Sequence, residues 1–136
     1  MKMLIVDDEE TVVDFFSTAA QKRGHTDVDT AFSGEQALGR VVQNTYDLIT
    51  LDIRMPGVTG LEIISPLRSM CPHAIIAIIS GHLLEETIPD LAGCADVIIS
   101  KPVDLKTFNR LLDGAERISE TMSEVRQLGD GRTVAD

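Results

Sequence analysis

The sequence is poor in aromatic residues and in cysteine. Its 136 residues include no tryptophan, one tyrosine and two cysteines. Cys71 and Cys94 neither form a CxxC pair nor suffice for a disulfide framework, so we expect small buried side chains without a redox role. With Tyr46 and no tryptophan, the chain also offers little that could stack on a flavin ring.

Long apolar runs and basic residues are also scarce. The longest wholly apolar run, residues 74–79, is far shorter than the roughly 20 residues that span a bilayer. The first ten residues, "MKMLIVDDEE", become acidic too soon for a signal peptide. The 22 acidic and 12 basic residues give a net charge of −10, which opposes binding to polyphosphates and anionic lipids. We therefore expect a cytoplasmic protein that binds neither nucleic acid nor membranes directly.

The chain instead alternates short apolar runs with longer segments of helical periodicity, and its 43% apolar content suffices for one core. Nearly continuous apolar runs are typical of parallel strands that are covered on both faces. The predicted strands are residues 3–6, 27–31, 48–51, 74–79 and 97–99. The predicted helices are residues 9–23, a helix capped by Ser33, residues 61–70, residues 83–91 and a long helix capped by Asp104.

This (βα)5 order predicts an α/β fold with a doubly wound, parallel, five-stranded sheet in the flavodoxin-like order 2-1-3-4-5. Two prolines should perturb its helices. We expect Pro66 to bend the third helix or delay its start, and Pro89 to leave the fourth helix short or kinked.

Polar side chains follow four of the predicted strands. Asp7 and Asp8 follow the first strand and Asp52 the third, while Ser80 and Lys101 end the fourth and fifth. Taken singly, each is more often a solvated cap or a surface charge. In this fold, however, they meet at one sheet edge, beside the switch point between the first and third strands where ligands bind.

Three neighbouring carboxylates stay ionised together only with a hard cation among them, and Mg²⁺ prefers such oxygen ligands. We expect Asp8 and Asp52 to bind the ion directly and Asp7 to act through water. Asp52 would keep one oxygen free to attack phosphorus. Lys101 and Ser80 would supply an ammonium and a hydroxyl for the phosphoryl oxygens.

Four motifs show a resemblance to a known family: "LIVDDEE", "YDLITLDIRMPGVTG", "AIIAIISG" and "VIISKP". The chain resembles, over residues 1 to about 117, the receiver domain of bacterial two-component response regulators, including their chemotaxis regulators. The resemblance implies that Asp52 accepts a phosphoryl group from a sensor histidine kinase or phosphotransfer protein. It also implies that Asp7, Asp8 and Asp52 hold Mg²⁺, for which Mn²⁺ can substitute, with the backbone carbonyl of Arg54.

By the same resemblance, Ser80 rotates toward the phosphoryl group, Lys101 pairs with it, and the peptide before Pro102 is cis. The switch would control an output domain or partner. The chain would then be a signalling domain that catalyses only its own phosphorylation and dephosphorylation, and no other enzyme activity is expected.

Three departures from the family pattern bear on its switch. Ile98 stands where receivers usually have tyrosine or phenylalanine, so we expect the output surface to switch differently. Pro89 places in doubt dimerisation through the face of the fourth helix, fifth strand and fifth helix. Arg54 and His82 occupy positions that tune phosphate lifetime in the family. For Arg54, a solvent-exposed side chain that contacts nothing is an equal alternative.

The last helix carries an apolar repeat that runs past the expected end of a receiver, which we place at residue 118. Its members are Phe108, Leu111, Ala115, Ile118, Met122 and Val125. One hypothesis is that residues 119–128 form a stalk that pairs with a second copy in a homodimer or leads to an output domain. Packing back on the domain or fraying are the alternatives. The rest of the 119–136 extension has the composition of a disordered tail.

Two other functions stay open. One is a pseudo-receiver that keeps the fold as a binding module and is never phosphorylated, although such proteins generally lose an acid or the lysine. The other is a haloacid-dehalogenase-type phosphatase, which needs a second acid two residues after its nucleophile. This chain has Arg54 there.

Overall fold

The computed structural model describes residues 1–81 and 88–129, and it confirms the predicted alternation of strands and helices. The strands are β1 (Met3–Val6), β2 (Val28–Ala31), β3 (Leu48–Leu51), β4 (Ile75–Ser80) and β5 (Val97–Ser100). The helices are α1 (Glu10–Lys22), α2 (Gly34–Gln43), α3 (Gly60–Met70), α4 (Ile88–Ala92) and α5 (Leu105–Gln127). Residues 83–87, the first part of the predicted fourth helix, lie outside the described residues.

The five strands form one parallel sheet in the order β2-β1-β3-β4-β5. This is the predicted doubly wound, flavodoxin-like fold. Its register pairs Val6 with Leu51 and Leu51 with Ile78, so β1 and β3 end at the same level. Because the residue after each strand emerges at the same sheet edge, Asp7 and Asp52 come out side by side.

Helices cover both faces of the sheet, which explains why β1 and β3 are buried throughout. Val6 belongs to the core layer shared with α2, α3 and α4, whereas Ile5 belongs to the layer shared with α1 and α5. In the second layer Phe16 stacks on Phe108, with ring centroids 4.4 Å apart. The edge strands β2 and β5 are only partly buried.

The predicted caps of α2 and α5 are confirmed. Ser33 Oγ accepts a hydrogen bond from the Gln36 backbone N–H at 3.1 Å, and Gln36 Oε1 accepts one from the Phe32 N–H at 2.9 Å. Asp104 Oδ1 accepts one from the Thr107 N–H at 2.7 Å. That bond to the backbone lowers the pKa of Asp104. Local hydrogen bonds therefore fix where these helices begin.

The late start considered for α3 is wrong. The helix begins at Gly60 and includes Pro66, because Thr59 Oγ1 accepts a hydrogen bond from the Glu62 N–H and caps it early. Pro66 removes only one helical donor, and the buried apolar residues of α3 hold the remainder of the helix. Within the described residues, α4 runs from Ile88 to Ala92 and contains Pro89, the proline that was predicted to perturb this helix.

The two cysteines are free thiols, as expected. Cys71 is buried and Cys94 is half-buried. Burial raises the pKa of the Cys71 thiol, which keeps it protonated and inert near neutral pH.

Helix α5 is 23 residues long and continues past residue 118. Phe108 and Ala115 are buried, whereas Ile118 and Val125 are 52% and 54% exposed. Across residues 1–81 and 88–129, no helix has both the length and the apolar character needed to cross a membrane. Residues 130–136, most of the predicted disordered tail, lie outside the described residues.

Candidate functional site

An acidic cluster lies at the carboxyl edge of the sheet, where β1 and β3 end. Asp7 and Asp52 are 2% and 4% exposed, while Asp8 is exposed to solvent. One carboxylate oxygen from each of the three lies within 4.8 Å of the others. The structure therefore confirms the prediction that Asp7, Asp8 and Asp52 converge at one edge of the sheet.

Backbone amides hold two of these carboxylates in place. Asp7 Oδ1 accepts a hydrogen bond from the Glu9 N–H at 2.9 Å, and Asp52 Oδ1 accepts one from the Arg54 N–H at 3.2 Å. Each bond spans two residues, a local turn that aspartate commonly forms where a strand gives way to a loop. The other carboxylate oxygen of Asp52, Oδ2, takes no part in this turn and lies 3.4 Å from Lys101 Nζ.

Lys101 reaches into the cluster from the end of β5. Its Nζ lies 2.7 Å from Asp7 Oδ2, 3.4 Å from Asp52 Oδ2 and 3.8 Å from Glu9 Oε1. Burial alone would lower the pKa of Lys101, but the Asp7 hydrogen bond and the surrounding carboxylates outweigh burial and raise it. The ammonium therefore stays charged, and the Lys101–Pro102 peptide is cis.

One ammonium does not balance the carboxylates that surround it. Burial raises the pKa of Asp7, although the hydrogen bonds from Lys101 and the Glu9 N–H oppose the rise. Ionised Asp7 thus carries an unfavourable desolvation that a second cation would relieve. Three hard oxygen donors within reach of each other fit Mg²⁺, which binds carboxylates and keeps several waters.

Ser80, at the end of β4, is 1% exposed, and its Oγ has no hydrogen-bond partner in the part of the chain that the structure describes. Its carbonyl accepts a hydrogen bond from the Lys101 N–H at 3.0 Å. A buried hydroxyl without a partner is costly. An oxyanion bound in the site could accept a hydrogen bond from the Ser80 hydroxyl.

Glu9 and Gly60 take part in the site but were not singled out from the sequence. Glu9 supplies an amide to Asp7 and a carboxylate near Lys101. A Cβ on Gly60 would lie 2.4 Å from the Asp52 carbonyl oxygen, so only glycine lets α3 approach the strand end so closely. The residues around Gly60, "PGVTG", do not by themselves predict that this glycine packs against the Asp52 backbone.

The three residues expected to tune the site, Arg54, Ile98 and His82, have no described side-chain contact with the acidic cluster. The Arg54 side chain is exposed, and its contribution to the described geometry is its backbone N–H. Ile98 is partly buried on β5 and packs against the core layer of α2, α3 and α4. His82 lies outside the described residues.

Comparisons with known proteins identify the family of this chain. The response regulator receiver domain family matches residues 3–113. Response regulator ArlR from Staphylococcus saprophyticus is 34% identical over 105 residues, which are 77% of this chain and 47% of the relative. The chain spans about half the length of the curated relatives it matches.

Solved structures show the same fold. A CheY-like receiver domain protein from Methanospirillum hungatei aligns with a TM-score of 0.80 at 23% identity, covering 90% of this chain and 97% of that one. NtrX from Brucella abortus aligns with a TM-score of 0.79 at 26% identity, covering 99% of this chain and 31% of that one. The family match covers most of the chain, including all the strand ends that build the acidic site. This chain therefore belongs to the response regulator receiver domain family, whose members are signalling domains rather than typical enzymes.

Proposed function

We propose that this chain is a phosphoacceptor, with Asp52 receiving a phosphoryl group from a sensor histidine kinase or a phosphotransfer protein. The observation that carries the proposal is a buried Asp52 held beside Asp7, Asp8 and the Lys101 ammonium. Asp7, Asp8, Asp52 and the Arg54 backbone carbonyl would hold Mg²⁺, for which Mn²⁺ can substitute. When bound, the ion neutralises negative charge on the carboxylates and on the phosphoryl oxygens.

The chemistry is a direct transfer between two proteins. A carboxylate oxygen of Asp52 forms a bond to phosphorus as the phosphorus–nitrogen bond of a phosphohistidine breaks, and the departing imidazole takes up a proton. Lys101 faces the same carboxylate and would neutralise the transferred oxygens. The unpartnered Ser80 hydroxyl would donate a hydrogen bond to one of them.

Movement of Ser80 toward the phosphoryl group would switch the domain and control an output domain or protein. The curated relatives are about twice as long as the aligned region, which supports an output domain as the target. Ile98 offers a smaller, aliphatic side chain on β5 than the usual aromatic ring, so its movement would remodel less surface. The acidic composition and the proposed kinase partner support a cytoplasmic location.

The first test is phosphorylation by a small donor. The purified chain should gain one phosphoryl group from acetyl phosphate in the presence of Mg²⁺, measured by intact mass. Excess chelator should abolish the gain, and restored Mg²⁺ or Mn²⁺ should recover it, because the carboxylates otherwise repel the donor. Equal labelling with and without the metal would contradict the proposed site, and no labelling at all would favour a pseudo-receiver.

The phosphatase alternative receives less support. A haloacid-dehalogenase-type mechanism needs an acid two residues after the nucleophile, and that position holds Arg54 with an exposed side chain. Sustained release of phosphate from a generic phosphoester, in many turnovers per chain, would favour it over the receiver function.

The partner's histidine must approach the sheet edge beside Lys101. An apolar groove of about 390 Å³ borders that residue, lined by Phe15 and Phe16 of α1 and by Pro102 and Val103. Phe15 is 43% exposed although it is large and apolar. We propose that the groove receives the apolar surface around the histidine of the kinase or phosphotransfer protein.

Replacing Phe15 with alanine tests this contact. Transfer from a histidine kinase that phosphorylates the native chain should slow by about tenfold, as expected for losing roughly 1.4 kcal/mol at a buried aromatic contact. Labelling by acetyl phosphate should not change, because Asp52 is untouched. Phe32→Ala is the matched control, since Phe32 is 40% exposed but does not line the groove. Equal effects of the two variants on kinase transfer would contradict the docking proposal.

A further inference from the structure

The loop between β3 and α3, residues 52–59, carries Asp52 and the Arg54 backbone of the proposed metal site. Within the described residues, 1–81 and 88–129, no backbone N–H or carbonyl group of residues 55–58 forms a hydrogen bond. Met55 is only 6% exposed and packs in the core layer of α2, α3 and α4. Packing rather than hydrogen bonding therefore fixes the position of this part of the loop.

Gly34, the first residue of α2, lies where that helix meets the loop. It is buried, and a Cβ built on it would lie 2.5 Å from the Val58 carbonyl oxygen and 3.1 Å from the Val58 Cβ. The φ angle of Gly34 is not positive, so space rather than backbone conformation requires glycine here. A side chain at this position would push the loop away from α2.

The next residue of α2 contacts the same loop. The Glu35 side chain lies over Gly57, since a Cβ on Gly57 would be 3.4 Å from Glu35 Oε1. Gly57 has a φ of 78°, a left-handed conformation that other residues rarely adopt. The hydrogen bond from the Gln36 N–H to Ser33 Oγ fixes where α2 begins. The first turn of α2 therefore meets the loop at a defined position.

The loop cannot absorb a displacement at Val58 without moving Arg54. The Gly60 N–H donates a hydrogen bond to the Ile53 carbonyl at 3.1 Å, which closes the loop into a short turn. Arg54 lies inside this turn, and its N–H donates to Asp52 Oδ1 at 3.2 Å. A shift of the loop would therefore alter the arrangement of Arg54 and Asp52.

We infer that Gly34 is a positioning residue for the metal site. The inference rests on the proposed function, in which Asp52 and the Arg54 carbonyl take part in holding Mg²⁺. The missing side chain of Gly34 lets α2 approach the loop and keep these two residues in place. Ser80 and Lys101 end other strands and do not depend on this contact. Substitution of Gly34 should therefore weaken metal binding rather than the transfer step.

Mn²⁺ binding to the unphosphorylated full chain tests the inference, followed by the electron paramagnetic resonance signal of the free ion. Gly34→Ala should raise the Mn²⁺ dissociation constant about tenfold, as is common when a residue that orients metal ligands is changed. At saturating Mg²⁺, its rate of labelling by acetyl phosphate should stay within about twofold of the native rate. Gly39→Ala is the matched control in the same helix, since nothing lies within 4 Å of its added Cβ. It should bind Mn²⁺ like the native chain.

Gly57→Ala tests the same loop if Gly34→Ala does not fold. It strains the loop through its own backbone, because alanine disfavours a φ of 78°, and it should also weaken Mn²⁺ binding. Native Mn²⁺ affinity in folded Gly34→Ala, or in Gly57→Ala, would overturn the inference. So would a slower saturated labelling rate of Gly34→Ala at unchanged affinity. A native chain that is never labelled, but loses Mn²⁺ affinity on Gly34→Ala, would refute phosphoryl transfer and still support the role of Gly34.

Discussion

Replacing Asp52 with asparagine is expected to abolish phosphoryl addition from acetyl phosphate. Asparagine keeps the shape and can still accept the Arg54 N–H bond, so the strand end should hold its conformation. The amide, however, is not a nucleophile toward phosphorus. We expect a loss of at least about a thousandfold in the rate of labelling, comparable to removing a covalent nucleophile elsewhere. Intact mass over a time course measures it directly.

Asp14→Asn is the matched control. Asp14 is exposed on α1, outside the three-carboxylate cluster, and its variant has the same change of charge. It should label at the native rate. Labelling of Asp52→Asn at the native rate would refute the assignment of the nucleophile. Mapping of the added group to Asp7 or Asp8 in the native chain would do the same.

Replacing Gly60 with alanine should produce the largest loss of stability among the glycine positions near the site. The new Cβ would lie 2.4 Å from the Asp52 carbonyl oxygen and 2.6 Å from the Ile53 Cα. Both are backbone atoms of a buried strand end, so neither can move away as a flexible side chain could. We expect destabilisation of about 3 kcal/mol or more. Denaturant unfolding measures the loss.

The same substitution should also slow labelling by acetyl phosphate, because relief of the clash moves Asp52 relative to Asp7 and Lys101. Gly39→Ala provides the control. Gly39 is exposed inside α2, with nothing within 4 Å of its added Cβ, so alanine should stabilise the chain by roughly 0.5–1 kcal/mol. Equal unfolding midpoints for Gly60→Ala and the native chain would show that α3 can retreat without cost.

Local patterns in the sequence were enough to predict the fold and the convergence of the acids. The apolar runs mark strands buried on both faces, and Asp7 and Asp52 follow two of them directly. Parallel strands in a (βα)5 order bring their carboxyl ends to one edge, so the convergence follows from the order of elements. Ser33 and Asp104 mark helix starts because their hydrogen bonds reach only three residues ahead.

Contacts between segments that are distant in sequence could not be predicted from the sequence and are seen only in the tertiary structure. Lys101 lies closer to Asp7 than to Asp52, and a Cβ on Gly60 would meet the Asp52 backbone, although no local spacing encodes either distance. The apolar repeat of α5 likewise does not reveal that burial stops after Ala115. Periodicity specifies which face of an element is apolar, whereas sheet register and helix packing determine what that face meets and at what distance.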